Sequence, residues 1–430
     1  METAVLGLFA AGLIACVAAD FSVILALLWG LALFIFYAFY EGFGAGEIGR
    51  MLLEGVKKIR NILMVFLCIG CLTASWRLCG TIPYIVYHAA GWIVPKYFVL
   101  CAFLLCAGIS FITGSSFSTA STVGAISMML GQATGVPSVP LAGAILAGCF
   151  FGDRCSPMSS SALLVASVTR TSIYDNLKGM FRTAALPLLV SCGIYFLMGS
   201  EPQAASSAAL AVFERSFALR WPLLLPAALT LVLCLLRMEV KRTMLLSTLC
   251  AMVLAILLQQ ASPAEILRAL ILGFDPADPE LAALLAGGGI RSMVNVGLIV
   301  CISSSFSGIF EKTKLLSGAG EWILRLARLT TRETAAVLTA TVSCMIACNQ
   351  TLAVLLSDQL LRPIVPDEHE RASWLEDSAI VIAPLLPWNI AGSVPLAILG
   401  AGAQSIPYAC YLYLLPLWLI IRGMIRKKPA

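Results

Sequence analysis

Charge is what this 430-residue sequence has least of. Asp, Glu, Lys and Arg make up 12% of it, while 60% is hydrophobic and the mean hydropathy is +0.94. Soluble domains average about 25% charged residues, so a water-soluble globule of this composition would expose a large apolar area. A soluble enzyme, a secreted disulfide scaffold and a disordered chain are excluded. The short alternating segments of a β-barrel are also missing, since runs such as 21–40 and 61–79 are continuously apolar. No basic residue precedes the first apolar stretch after Met1-Glu2-Thr3, so a cleaved signal peptide is not expected. Histidine is nearly absent. His369 stands in a charged segment and His88 has no matching GxSG, and the nearest approach to a GxGD protease motif is Phe150-Phe151-Gly152-Asp153. The chain reads as no enzyme, needing no cofactor. No basic stripe carries interleaved aromatics, so nucleic acid is not an expected partner either.

What is present is apolar length. A spanning helix takes about 20 residues, which allows about ten to thirteen helical segments here. Apolar runs fall at 4–18, 21–40, 61–79, 97–113, 140–151, 181–199, 217–236, 243–258, 290–310, 335–348, 379–400 and 408–425. The fold class is therefore an all-α polytopic membrane protein, several of whose segments are too short or too interrupted for simple crossings. Basic clusters at Arg50, Lys57, Lys58 and Arg60, at Arg237, Lys241 and Arg242, and at Arg422, Arg426, Lys427 and Lys428 mark cytoplasmic loops. With two spans before the first cluster, both termini are expected inside a cell (inner) membrane. The 15 cysteines lie almost entirely in apolar runs, and Cys68 and Cys71 read as small packing residues. The dense cluster 367–371 is expected in a solvated loop.

A repeat shows in layout rather than in residue identity. An apolar helix ending at Thr113 meets the polar break Gly114-Ser115-Ser116-Phe117-Ser118-Thr119, and 39 positions after Gly114 comes Asp153 in a second break, 152–157. In the other half a helix ending at Cys348 meets Asn349-Gln350-Thr351, and 39 positions after Asn349 comes Trp388 in the break 384–389. A shift of 235 residues superposes both pairs and carries 61–79 close to 290–310. This divides the chain into N-terminal helices (1–60), a first repeat (61–199), connecting helices and an amphipathic linker (200–288) and a second repeat (289–430). Interrupted apolar segments in two matching halves mark the binding site of a secondary transporter, because unwound backbone survives at membrane depth only where it is buried or lines a cavity.

Asp153, Asp358, Glu376 and Asp377 stand in or beside apolar runs. A carboxylate at the bilayer centre costs at least about 2.5 kcal/mol, so one that is kept has a partner or a task. Around these acids gather small oxygen ligands of the kind hard cations take: Ser115, Ser116 and Thr119 at the first break, Ser156, Ser159, Ser160 and Ser161 at the second, and Asn349, Thr351 and Asn389 in the other half. Asp153 and Asp377 are the candidate Na⁺ ligands. The row Gly143, Ala144, Ala147, Gly148 reads as a helix-packing face.

On the stretches FFGDRCSPMSSS (150–161), LLAGGGIRSM (284–293) and LEDSAIVIAPLLPWNIAG (375–392), the chain resembles the NhaC family of Na⁺/H⁺ antiporters within the wider ion-transporter superfamily. The resemblance spans roughly 45–425 and implies two inverted repeats with scaffold and transport regions, elevator motion and sodium–proton exchange. It places Gly152, Asp153, Ser156 and Pro157 on one family motif, and Glu376, Asp377, Ser378, Pro384, Pro387, Trp388 and Asn389 on another. Three departures stand out. Family members carry an acid where this chain has Ser160 and commonly another where it has Asn349, and Asn is replaced by Leu163.

Three functions follow as expectations. The first is antiport of Na⁺ and H⁺, one carboxylate taking either ion in turn, by alternating access. The second is Na⁺-coupled carriage of a small organic anion or amino acid, to which the neutral Ser160 and Asn349 point. The third is a channel. The lipid bilayer is the expected surrounding, and a homodimer is an open option.

Overall fold

The structure is a computed structural model that describes residues 23–89, 94–199, 207–236, 238–313, 329–347 and 349–426, with isolated positions before 23. The span expected at 4–18 (those isolated positions apart), both termini, Arg237, Cys348 and the pair Lys427 and Lys428 lie outside the described residues. Among the described residues there is no β-strand, only a bridge between Phe274 and Gly287.

In chain order the helices begin with α1 (Val23–Tyr40), α2 (Ala45–Lys58), α3 (Arg60–Leu78) and α4 (Thr81–Ala89). Next come α5 (Pro95–Thr113), α6 (Ser116–Thr119), which runs through a π-helical turn (Ala120–Gly124) into α7 (Ala125–Ala133), then α8 (Ser138–Cys155), α9 (Ser160–Thr169) and α10 (Ile173–Leu197). The middle of the chain forms α11 (Ser207–Ser216), α12 (Leu225–Leu235), α13 (Val240–Gln259), α14 (Pro263–Leu272), α15 (Pro279–Leu285) and α16 (Gly289–Ser292). The last group is α17 (Val294–Thr313), α18 (Arg332–Ala347), α19 (Gln350–Leu361), α20 (Glu368–Asp377), α21 (Ala379–Ile382), α22 (Ile390–Ile398) and α23 (Cys410–Arg426).

Lys96–Thr113, Ile173–Leu197 and Val240–Gln259 are long and apolar enough to cross a bilayer unaided. Two bent helix pairs reach the same length and apolarity together, 62° between Leu63–Leu78 and Thr81–His88, and 53° between Glu368–Leu385 and Ile390–Ile398. The outer faces carry apolar stripes with helical spacing: Leu186, Leu189, Val190 and Leu197 on α10, and Leu245, Leu249, Val253 and Ile256 on α13, all exposed. Such stripes need hydrocarbon around them. The protein is a multi-pass integral membrane protein.

The core sits around α8, whose residues from Leu141 to Phe150 are buried without exception and which lies along α5. Small residues allow that approach. A Cβ on Gly148 would meet the Phe103 carbonyl and come within 3.0 Å of Cys106 Cβ, and one on Gly143 would press on Tyr408. The small-residue row is thus a packing face on two sides. A second apolar cluster joins α1, α2 and α17 through Phe34, Met51 and Phe306.

The order of helix, break and half-helix recurs. In the first half α5 ends at Gly114, in the left-handed region (φ 67), and Ser115 caps α6; α8 ends before Ser156 and Ser159 caps α9. In the second half Asn349 caps α19 and Asn389 caps α22. The helices that follow, α10 and α23, each carry an interior proline, Pro187 and Pro416. The first half's half-helices pack on those of the second: α6 and the π turn against α22, and α9 against α19. The cluster 367–371 departs from the expected loop. Asp367 caps α20, and Arg371 turns inward, where Asp358 accepts from it at 2.8 Å and from Arg362 at 2.7 Å. Asp358 is thereby explained as a paired, buried anion.

The two breaks of the first half touch: a Cβ on Gly114 would lie 2.6 Å from the Met158 carbonyl carbon, on top of its positive φ. Gly114→Ala should therefore cost about 1–3 kcal/mol from overpacking and strain together, seen as a lowered thermal unfolding midpoint of the detergent-purified protein.

Candidate functional site

The last turn of α8 delivers Asp153 to the gap between the first-half breaks. Its carboxylate is buried, 4% exposed, and is bonded to hydroxyls alone: Ser159 Oγ donates to Oδ1 at 2.8 Å and Ser116 Oγ to Oδ2 at 3.3 Å. Ser116 is the first residue of α6 and Ser159 the cap of α9, so the carboxylate faces two helix N-termini, whose dipoles favour an anion. Ser161 Oγ lies 2.7 Å from Ser159 Oγ and extends the hydroxyl cluster. No ion pair involves Asp153 among the described residues.

Glu376, at the end of α20, is fully buried, and neither carboxylate oxygen has a hydrogen-bond partner among the described residues. Its charged neighbours are Arg154, Asp377 and Asp153. Asp377, one residue on, is the opposite case. Arg154 Nη2 pairs with its Oδ1, which also accepts from Thr183 Oγ at 2.8 Å, and Arg422 Nη2 donates to its Oδ2 at 3.1 Å. Arg154 is itself fully buried. It donates to the Glu376 carbonyl (3.0 Å), the Met180 carbonyl (3.2 Å), Thr183 Oγ (2.8 Å) and the Tyr411 hydroxyl (3.3 Å). It thus ties α8 to α20, α10 and α23.

The other expected site residues spread over several roles. Ser115, Asn349 and Asn389 accept backbone N–H bonds as caps, and Asn389 Nδ2 also donates to the Cys344 carbonyl at 3.2 Å. Thr119 is buried and donates to the Ser115 carbonyl; Ser156 accepts from the Met158 N–H. Ser160 and Thr351 are exposed and take no part in the Asp153 cluster. Within the serine run it is Ser159, one place earlier, that faces the carboxylate, because a cap looks back over its own helix N-terminus while the next residue looks outward. Arg154 carries the same sequence signal as Asp153, a charge after an uninterrupted apolar run, but its positive sign reads as a loop marker.

A charge pair this deep is fragile when halved. Removing one partner of a buried ion pair costs about 3–5 kcal/mol. Arg154→Met should therefore destabilise the protein by about that amount, and Arg154→Met with Asp377→Asn should recover part of it, both read from unfolding midpoints in detergent.

The chain is 27% identical over 411 residues to the Na⁺/H⁺ antiporter NhaC of Bacillus subtilis, covering 91% of this chain and 89% of that protein. It is 25% identical over 402 residues to the NhaC antiporter of Alkalihalophilus pseudofirmus, covering 90% and 86%. It is also 27% identical over 431 residues to the arginine/ornithine antiporter ArcD of Halobacterium salinarum, covering 94% and 86%. The Na⁺/H⁺ antiporter family matches residues 2–200 and 148–424, and the chain belongs to that family.

Proposed function

We propose that the protein exchanges Na⁺ for H⁺ at Asp153, with Glu376 as the second exchangeable carboxylate. The observation that carries this is a buried Asp153 bonded only to the hydroxyls of two helix breaks, beside a Glu376 whose oxygens are unpartnered. The ArcD relative is as similar in identity as the first NhaC relative, so the cargo is argued from the site and not from likeness. Carboxylate and hydroxyl oxygens are what a hard cation binds, and a carboxylate is what a proton neutralises.

Charge counting sets the exchange. Arg154 and Arg422 bring two positive charges; Asp153, Glu376 and Asp377 bring three negative ones. The buried cluster is one unit short of neutrality and is completed by one Na⁺ or one H⁺. A bare negative charge is costly to carry through the low-dielectric middle of the fold, so the site crosses when loaded with either ion. Asp377, already compensated by two guanidiniums, anchors α20 in this scheme, and Asp153 is the Na⁺ ligand.

The segments 61–199 and 289–430 serve as the two repeats in this reading, inverted relative to each other. The bilayer is the cytoplasmic membrane, with both termini on the cytoplasmic side. No cofactor is required.

In proteoliposomes with an internal pH dye, Asp153→Asn should abolish proton movement on addition of Na⁺, and retention of exchange would remove Asp153 from the mechanism. Ser159→Ala withdraws one oxygen and its charge-assisted hydrogen bond, about 1.5 kcal/mol, so the Na⁺ concentration for half-maximal exchange should rise about tenfold.

A further inference from the structure

Away from the Asp153 cluster a partly open cavity of about 500 Å³ lies between α3 and α4 on one side and α7 and the end of α22 on the other. Its volume lies in the range of small-molecule sites, about 300–1,000 Å³. Arg77 is the single charged residue on its wall among the described residues, joined by the polar side chains of Thr73, Gln132 and Ser292. The guanidinium is held in place from behind. Its Nη1 donates to the carbonyls of Leu285 (3.2 Å) and Ala286 (2.6 Å), whereas Nε is buried without a partner, and no hydrogen bond is made by Nη2 among the described residues. Gly287 keeps this arrangement open, since a Cβ there would lie 2.6 Å from Nη1.

The geometry points to a binding site for a small monocarboxylate, its carboxylate accepting from Nη2 of Arg77 and its aliphatic body against Val86, Met128 and Leu399. A guanidinium donates charge-assisted hydrogen bonds to a carboxylate, and fixing Nη1 on two carbonyls removes rotational freedom before binding. One guanidinium balances one charge. The second charge of a dianion would stay uncompensated. The site is separate from the cation site and stands whether or not the antiport reading holds.

The test is thermal unfolding of the full-length protein in detergent, with potassium butyrate compared against equal potassium chloride and potassium phosphate. Butyrate should raise the midpoint by several degrees over chloride, as a ligand of the native state alone does, and phosphate should not. Arg77→Gln should lose the shift. Gln132→Trp, which fills the cavity and leaves Arg77 on its carbonyls, should lose it too and serves as the decisive variant if Arg77→Gln does not fold. Asp153→Asn should keep the butyrate shift while losing sodium–proton exchange. Absence of a butyrate shift, an equal shift with phosphate, or a shift retained in Gln132→Trp would each overturn the proposal.

Discussion

A guanidinium enclosed in an apolar core is stable only when its hydrogens and its charge are both answered, and Arg154 imposes that requirement on four helices at once. Its bonds reach α10, α20 and α23 from a position at the end of α8. Each of these helices has to end or bend where it does for the partners to arrive. The neighbour Asp153 then comes to rest between the two first-half breaks, and Glu376 is brought near it by its own carbonyl bond to Arg154. Asp153 and Glu376 are thus both positioned through the buried pair of Arg154 and Asp377.

The breaks supply the second requirement. A helix interrupted inside a membrane exposes N–H groups that lipid cannot satisfy. Here four side chains, Ser115, Ser159, Asn349 and Asn389, each accept from such groups. Side-chain caps leave the adjoining hydroxyls of Ser116 and Ser161 available to the carboxylate cluster. The same device appears at corresponding places in both halves, but only the first half joins it to a carboxylate in the last turn of the preceding helix.

Much of this was legible in the sequence because hydrocarbon is an unforgiving solvent. Continuous apolar runs located the helices, with α8 extending four residues past its run to Cys155, and polar interruptions at 114, 156, 349 and 389 located the breaks. Asp153 and Glu376 stood out for the same reason. The pairing of charges was, with one exception, not legible. Asp377 is paired with Arg154 and Arg422, and Asp358 with Arg371, through helix contacts that spacing does not encode; only the i,i+4 pair of Asp358 and Arg362 could be read from the sequence. Nor does a run of serines reveal which member faces inward; the one-residue difference between Ser159 and Ser160 depends on where the α9 cap falls.

The partners Arg154 and Asp377 are separated by 223 positions along the chain. During synthesis α8 therefore emerges long before the carboxylate that compensates it exists. Until the last helices arrive, the arginine has to remain in contact with water or headgroups. The final seating of α8 is accordingly a late event in biogenesis, and a nascent chain halted before α20 holds a first half whose polar groups cannot yet be buried.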